Sequence, residues 1–222
     1  SGTFNMYGGS ITGNRATGDG GGVYKSGSNS SFNMYGGSIT GNTANSYGGG
    51  VYVDGGGFTM SGGTIGGTKT GETNTATYGG GGVYAKANFE MTGGSITGNE
   101  TNRGGGVYVT GKGSFTMSAS ADGQNIPSIT GNNATENGGG VYVIGSSTFK
   151  MTGGTIGGTD ANDANTATNG GGVCVSKNGS FEMSGSSCIT NNKADSYGGG
   201  VNINYASATF TMKGGSITGN NA

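Results

Sequence analysis

The chain has 222 residues, of which 56 are glycine, one is proline and none is histidine or tryptophan. Its formal net charge is −1 with 9% charged residues, so it lacks the basic field that binds nucleic acid, and no apolar run is long enough to insert into a membrane. The absence of histidine excludes Ser-His-Asp and Cys-His catalysis and any histidine metal ligand. Such a composition suits a folded chain only if the few large apolar residues keep a strict repeat.

Each repeat opens with a phenylalanine that is followed two positions later by a methionine. Apolar residues two positions apart predict a strand with one buried face. All phenylalanines and all methionines of the chain belong to this pattern, as Phe4 and Met6, Phe32 and Met34, Phe58 and Met60, Phe89 and Met91, Phe115 and Met117, Phe149 and Met151, Phe181 and Met183, and Phe210 and Met212.

An isoleucine flanked by serine, threonine or glycine, with cysteine before one copy, comes next and predicts a second strand. It recurs as Ile11, Ile39, Ile65, Ile96, Ile129, Ile156, Ile189 and Ile217.

A glycine run followed by a valine predicts the third strand. The valines are Val23, Val51, Val83, Val107, Val141, Val173 and Val201. The glycines permit a tight bend, with positive φ, at places where a side chain would clash.

Three short strands in a constant order predict a coil, and eight such units predict a stack of coils about 4.8 Å apart. We therefore predict an all-β fold, a right-handed parallel β-helix (β-solenoid) of about eight coils of three short strands, in which residues 1–222 form a single segment. Asparagines after the isoleucine strand are expected to bond along the stack through their amides. They are Asn14, Asn42, Asn99, Asn132, Asn192 and Asn220.

Three insertions interrupt the rhythm, over residues 68–73, 159–164 and 118–127. The first two follow isoleucine strands three coils apart, and the third precedes Ile129. We expect all three to leave the core intact and to project as loops, which makes them candidates for recognition as well as tolerated surface insertions. Asp160, Asn162 and Asp163 offer oxygen ligands for calcium, but the loop lacks a regular calcium motif and no metal site is predicted.

The segments Ile11-Thr12-Gly13-Asn14 and Ile39-Thr40-Gly41-Asn42, each followed by a glycine run and a valine, resemble the repeats of chlamydial polymorphic outer membrane proteins and related bacterial and archaeal adhesin-like surface proteins. The resemblance covers nearly the whole chain. It implies a parallel β-helix in an exposed adhesive or spacer role at the cell surface, and it implies no catalytic residue and no cofactor.

The candidate ligand-binding residues are tyrosines in the valine strands. On stacked coils they are expected to form an outward ladder that could stack on the rings of an extended glycan. A ladder that only stabilises the sheet is the competing interpretation. The tyrosines are Tyr24, Tyr52, Tyr84, Tyr108 and Tyr142, and Cys174 and Asn202 follow them in later coils.

An enzyme is not predicted. Glu90 and Glu182 point outward from the same face three coils apart, about 14 Å by the stacking distance, which exceeds the separation of glycosidase carboxylates. Lys150 is expected to form a surface ion pair with Glu182. A serine and threonine array around the isoleucines resembles ice-binding solenoids, but Gly66 and Gly157 interrupt it.

Cys174 and Cys188 are expected to lie on different faces and to remain free thiols.

Neither end has an atypical capping repeat, so we expect a segment of a longer array or one that stacks end to end. The resulting hypothesis is a structural or adhesive segment of an extracellular microbial surface protein that contacts host surface glycans or proteins. The alternatives, in order, are a carbohydrate-binding module that uses the tyrosine ladder, and a polysaccharide-active enzyme or ice-binding solenoid.

Overall fold

The computed structural model describes residues 2–160 and 162–222 and forms a parallel β-solenoid. Within these residues all secondary structure is β, and the strands of successive repeats pair in parallel, as the register of the first two coils illustrates. The strands form two sheets of eight and two of seven, so the chain completes about seven turns. The predicted β-solenoid is confirmed and the predicted count of about eight coils is close, but each coil has four strands where we expected three.

The Phe-Met sheet contains the first strand of each coil. Its phenylalanines and methionines point into the core, whereas the residues between them face outward. The strands are Thr3–Met6, Ser31–Met34, Gly57–Met60, Asn88–Met91, Ser114–Met117, Thr148–Met151, Ser180–Met183 and Thr209–Met212.

The isoleucine sheet follows. Each strand points one isoleucine at the core, and its flanking residues turn outward except for the buried Gly66 and Gly157. The strands are Ser10–Thr12, Ser38–Thr40, Thr64–Gly66, Ser95–Thr97, Ser128–Thr130, Thr155–Gly157, Cys188–Thr190 and Ser216–Thr218.

The alanine sheet is the one that the repeat pattern did not predict. Each strand buries a single small residue, usually alanine, so the spacing of large apolar residues carries no trace of it. The strands are Arg15–Ala16, Thr43–Ala44, Thr75–Ala76, Glu100–Arg103, Asn133–Asn137, Thr166–Asn169 and Lys193–Tyr197.

The valine sheet closes each coil. The valine that begins each strand faces the core, and the residue after it faces outward. The strands are Val23–Lys25, Val51–Val53, Val83–Ala85, Val107–Val109, Val141–Ile144, Val173–Ser176 and Val201–Ile203.

Identical side chains lie above one another throughout the core. Neighbouring phenylalanine rings are nearly parallel, with centroids 4.6–4.9 Å apart. Phe32 is fully buried, whereas Phe4 in the first coil is 44% exposed and Met212 in the last is 46% exposed. Burial of each large apolar side chain contributes about 2 kcal/mol, and the inner coils have this contribution in full.

An asparagine ladder joins all eight repeats at the corner after the isoleucine strand. Each Nδ2 donates to the Oδ1 of the asparagine in the next coil over 2.9–3.0 Å. In the inner coils Nδ2 also donates to an isoleucine carbonyl of the preceding coil, as from Asn132 to Ile96. The predicted ladder is confirmed and is longer than expected, because Asn74 and Asn165 take the same position after the two insertions.

The glycine runs make the bend that leads into each valine strand. Gly104, the first of its run, has φ +64, a conformation that L side chains rarely adopt. A Cβ on Gly105 would lie 2.5 Å from the carbonyl oxygen of Gly139 in the next coil. Both expectations for these glycines, positive φ and lack of space, are therefore confirmed.

Replacing Asn132 by alanine tests the ladder. The Asn99 N–H would lose its partner inside the protein, and the Ile96 carbonyl and the Asn99 Nδ2 would each lose one hydrogen bond, although Asn99 Nδ2 keeps its bond to the Ile65 carbonyl. At about 1–3 kcal/mol for the unsatisfied buried N–H and about 1 kcal/mol for each of the other two hydrogen bonds, we expect a loss of about 3–5 kcal/mol in the free energy of unfolding. Urea denaturation followed by far-UV circular dichroism measures it. The exposed neighbour Asn133→Ala is the control and should shift stability by less than about 0.5 kcal/mol; equal shifts in the two variants would contradict a dominant role for the ladder.

Candidate functional site

The predicted tyrosine ladder lies in register on the outer face of the valine sheet. Tyr24, Tyr52, Tyr84, Tyr108 and Tyr142 pair in succession. The first four rings stack with centroids 4.8–5.1 Å apart, and the ring of Tyr142 meets that of Tyr108 edge-on at 81°.

The expected exposure of this ladder is wrong for four of its five members. Tyr52, Tyr84, Tyr108 and Tyr142 are only 5–8% exposed, whereas Tyr24 is 53% exposed. The cause is the turn between the alanine and valine sheets, which folds back over the rings.

Two contacts show this cover. The ring of Tyr47 lies 4.5 Å from that of Tyr84. A Cβ on Gly79 would come within 2.6 Å of the ring of Tyr108. The buried tyrosines therefore form a second apolar cluster outside the main core and offer no open ring face to a sugar.

Burial changes the acid-base chemistry of this cluster. It raises the pKa of Tyr84 and of Tyr108 above the ordinary tyrosine value, and the neighbouring phenols add to the effect. It also raises the pKa of the Cys174 thiol to about 12. Since the thiolate is the nucleophilic form, Cys174 is inert at neutral pH. Both cysteines are free, as predicted.

The insertions at residues 68–73 and 159–164 form two matching loops; Ala161 of the second lies outside the described residues. Each loop is closed by its own carboxylate, since Glu72 accepts from the Lys69 N–H and Asp163 from the Asp160 N–H, both at 3.3 Å. Each carboxylate thus has one oxygen engaged within its own loop.

Each loop also rests on the coil before it. The Gly41 N–H donates to the Glu72 carbonyl at 2.9 Å, and the Gly131 N–H donates to the Asp163 carbonyl at 2.8 Å. The asparagine ladder continues beneath both loops, so they are held to a continuous scaffold. The expectation that these insertions leave the core intact is confirmed.

A polar trough of about 370 Å³ lies between the two loops. We call it the inter-loop groove. Its lining is hydroxyl, amide and backbone groups with one carboxylate, and it consists of Gly67, Thr68, Thr73, Gly98, Asn99, Glu100, Gly131, Asn133 and Asn162. Because the loops start three coils apart, about 14 Å by the stacking distance, an extended chain has room to lie between them.

No group of three or more Asp, Glu or Cys side chains among the described residues is arranged to hold a metal ion. The calcium ligands considered above, Asp160, Asn162 and Asp163, therefore form no such cluster in the described part of their loop.

The other candidate carboxylates are surface groups. Glu182 pairs with Lys150 across the predicted rung at 4.0 Å, but its shorter contact is to Lys213 at 2.7 Å. The hydrogen bond from Lys213 lowers the pKa of Glu182, and the positive charges of Lys213 and Lys150 lower it further. Glu90 lies on an exposed strand position in an earlier coil.

The serine and threonine array lies on the outer face of the isoleucine sheet. Its hydroxyls bond between coils, as from Thr130 to Thr97 at 3.1 Å and from Thr40 to Thr12 at 3.3 Å. Gly66 and Gly157, both at φ +87, interrupt it where the inserted loops begin. The array is thus divided into short stretches.

Comparison with protein-family models, with curated proteins and with solved structures finds no match. Across residues 2–160 and 162–222 the structure contains no helix long and apolar enough to cross a membrane.

The inter-loop groove was only partly foreseen. Its loops were recognised as insertions, but the floor of Gly98, Glu100 and Asn133 was not, because part of it belongs to the unpredicted alanine sheet. The matching sequences Gly66-Gly67-Thr68 and Gly157-Gly158-Thr159, each leading to Asn-Thr-Ala-Thr, are the signal that could have paired the loops.

The buried tyrosines predict a stability that depends on pH. Their folded-state pKa is raised, so their contribution is complete below about pH 10, the pKa of an unfolded tyrosine, and is lost as the pH rises further. We expect the melting temperature to fall above about pH 10 and Tyr84→Phe to reduce this fall. Calorimetry between pH 8 and 11.5 measures it, with Tyr24→Phe from the exposed end of the ladder as control. The interpretation fails if both variants change the pH dependence equally.

Proposed function

We propose that the chain is a non-catalytic segment of an extracellular microbial surface protein, and that its inter-loop groove contacts glycans of a host or neighbouring cell. The observation that carries this proposal is the pair of matching loops that frame the groove while the asparagine ladder continues beneath them. A repeat that is interrupted twice in the same way at one corner defines a specific place on the surface.

The chemistry of the groove supports a neutral, hydroxylated ligand. Thr68 and Thr73 provide hydroxyls, Asn133 and Asn162 provide amides, and Glu100 provides one carboxylate. These groups donate and accept hydrogen bonds, as sugar hydroxyls do, and the groove has no large apolar wall for a lipid or a hydrophobic peptide.

The same lining supports binding without hydrolysis. Glycosidases generally use two carboxyl groups that face one bond, but Glu100 is the one carboxylate among the described residues that line the groove. Glu72 closes its own loop by accepting from Lys69. A role for the buried tyrosine ladder in glycan stacking stays a prediction with less support than the groove.

A glycan array probed with the whole chain, followed by calorimetry on any hit, tests the proposal. In the double variant Glu100→Ala/Asn133→Ala we expect affinity to fall at least about tenfold, because loss of two hydrogen bonds exceeds about 1.4 kcal/mol. The matched control is Asn88→Ala/Glu90→Ala, which removes the same residue types from exposed positions of the Phe-Met sheet.

Equal losses in the two double variants, or no glycan bound by the wild-type chain, would contradict a binding role for the groove. We also expect no new reducing ends when a bound polysaccharide is incubated with the chain. Their release at a rate abolished by Glu100→Ala would overturn the non-catalytic assignment.

A further inference from the structure

A second cleft, of about 160 Å³, lies where the tyrosine ladder ends. We call it the Arg103 cleft. It opens outside the valine sheet and is lined by Arg103, Asn137, Tyr142, Ile144, Ser176, Lys177, Asn204 and Tyr205. The tyrosine series stops in this region because the next coil has Cys174 at the ladder position. The cleft is separate from the inter-loop groove and shares no lining residue with it.

The Ser176 hydroxyl is the unusual group in this cleft. Ser176 is 1% exposed, yet its Oγ has no hydrogen-bond partner among the described residues. It lies near the Tyr142 phenol but forms no hydrogen bond of proper geometry with it. Burial raises the pKa of Tyr142, and the nearby Ser176 hydroxyl lowers that pKa by a smaller amount. A buried hydroxyl without a partner is costly, and a ligand oxygen would satisfy it.

Two cations border the same space. The Nε of Arg103 donates to Glu136 at 2.6 Å, which orients the guanidinium and leaves its terminal N–H groups without a partner in the described part of the chain. The Lys177 ammonium lies 5.5 Å from the centre of the Tyr205 ring and pairs with none of the described carboxylates.

The remaining polar groups of the cleft also favour a ligand that accepts hydrogen bonds. The Oδ1 of Asn137 already accepts from Asn169 at 3.3 Å, so its Nδ2 is the free group. Arginine, lysine, serine and an amide N–H together suit a carboxylate, and the half-exposed ring of Tyr205 suits the apolar face of a sugar. The volume is below the about 300 Å³ at which pockets for larger small molecules begin, so one sugar residue is the largest ligand expected.

We propose that the Arg103 cleft binds a single carboxylate-bearing sugar residue, a uronate, with the guanidinium of Arg103 and the hydroxyl of Ser176 donating to the ligand. The uronate is either a free monosaccharide or the end of a glycan, since both present the same chemistry. This site stands independently of the glycan-binding role of the inter-loop groove.

Calorimetry with D-glucuronate and D-glucose tests the charge requirement, because the two sugars differ only at the sixth carbon. We expect glucuronate to bind at least tenfold more tightly than glucose and more tightly than acetate. Equal affinity for the two sugars, equal affinity for glucuronate and acetate, or no binding of glucuronate would each overturn the proposal. A uronate oligosaccharide then distinguishes the sources: tighter binding than the monomer supports a glycan end, and equal binding supports the free sugar acid.

Two variants locate the binding. Arg103→Met should weaken glucuronate binding at least tenfold and Ser176→Ala about threefold to tenfold. Since Ser176→Ala removes a hydroxyl that has no partner, its melting temperature should be unchanged or higher, which separates lost binding from lost folding. The control Arg15→Met removes an exposed arginine from the first coil and should leave affinity unchanged. Wild-type affinity in both cleft variants would overturn this location.

Discussion

The structure depends on hydrogen bonding between asparagine side chains along the corner after the isoleucine strand. In each inner coil, the asparagine Nδ2 donates to the asparagine Oδ1 of the next coil and to an isoleucine carbonyl of the preceding coil. Its own Oδ1 accepts from the asparagine of the preceding coil. At a corner between two strands, the backbone N–H of the asparagine has no partner in a sheet. The ladder supplies one, because the Oδ1 of the next asparagine accepts from that N–H, as it does for Asn99 and Asn132. This keeps the coils in register while each turn adds only a few large apolar side chains to the core.

The same interaction explains how the chain tolerates its two matching insertions. The loops leave the coil after Gly66 and Gly157, and the chain returns to the ladder at Asn74 and Asn165. Closure by Glu72 and Asp163 makes each loop a compact unit that docks on the preceding coil. Insertions that re-enter the ladder change the surface without disturbing the stack, so the groove stands on a rigid base.

The outer faces show why a regular solenoid has few sites. Where the repeat is strict, serine, threonine and asparagine pair with their equivalents in the next coil and leave a uniform surface. Two cavities lie where identity between coils is lost. One lies between the inserted loops, and another lies where the tyrosine series gives way to Cys174 and the chain supplies Tyr205 instead.

The sequence by itself determined the solenoid, because phenylalanine, methionine, isoleucine and valine recur in one order and only a parallel stack places each type on itself. It also determined the asparagine ladder and the glycine bends, since both depend on local chemistry at a repeated position. It did not reveal the alanine sheet, whose single small core residue leaves no periodic signal. Only the tertiary structure decided that Tyr52, Tyr84, Tyr108 and Tyr142 are covered, because the covering turn follows the strands of the unpredicted alanine sheet. The groove and the cleft were likewise decided there, since each joins side chains from several coils whose separation along the chain hides their proximity.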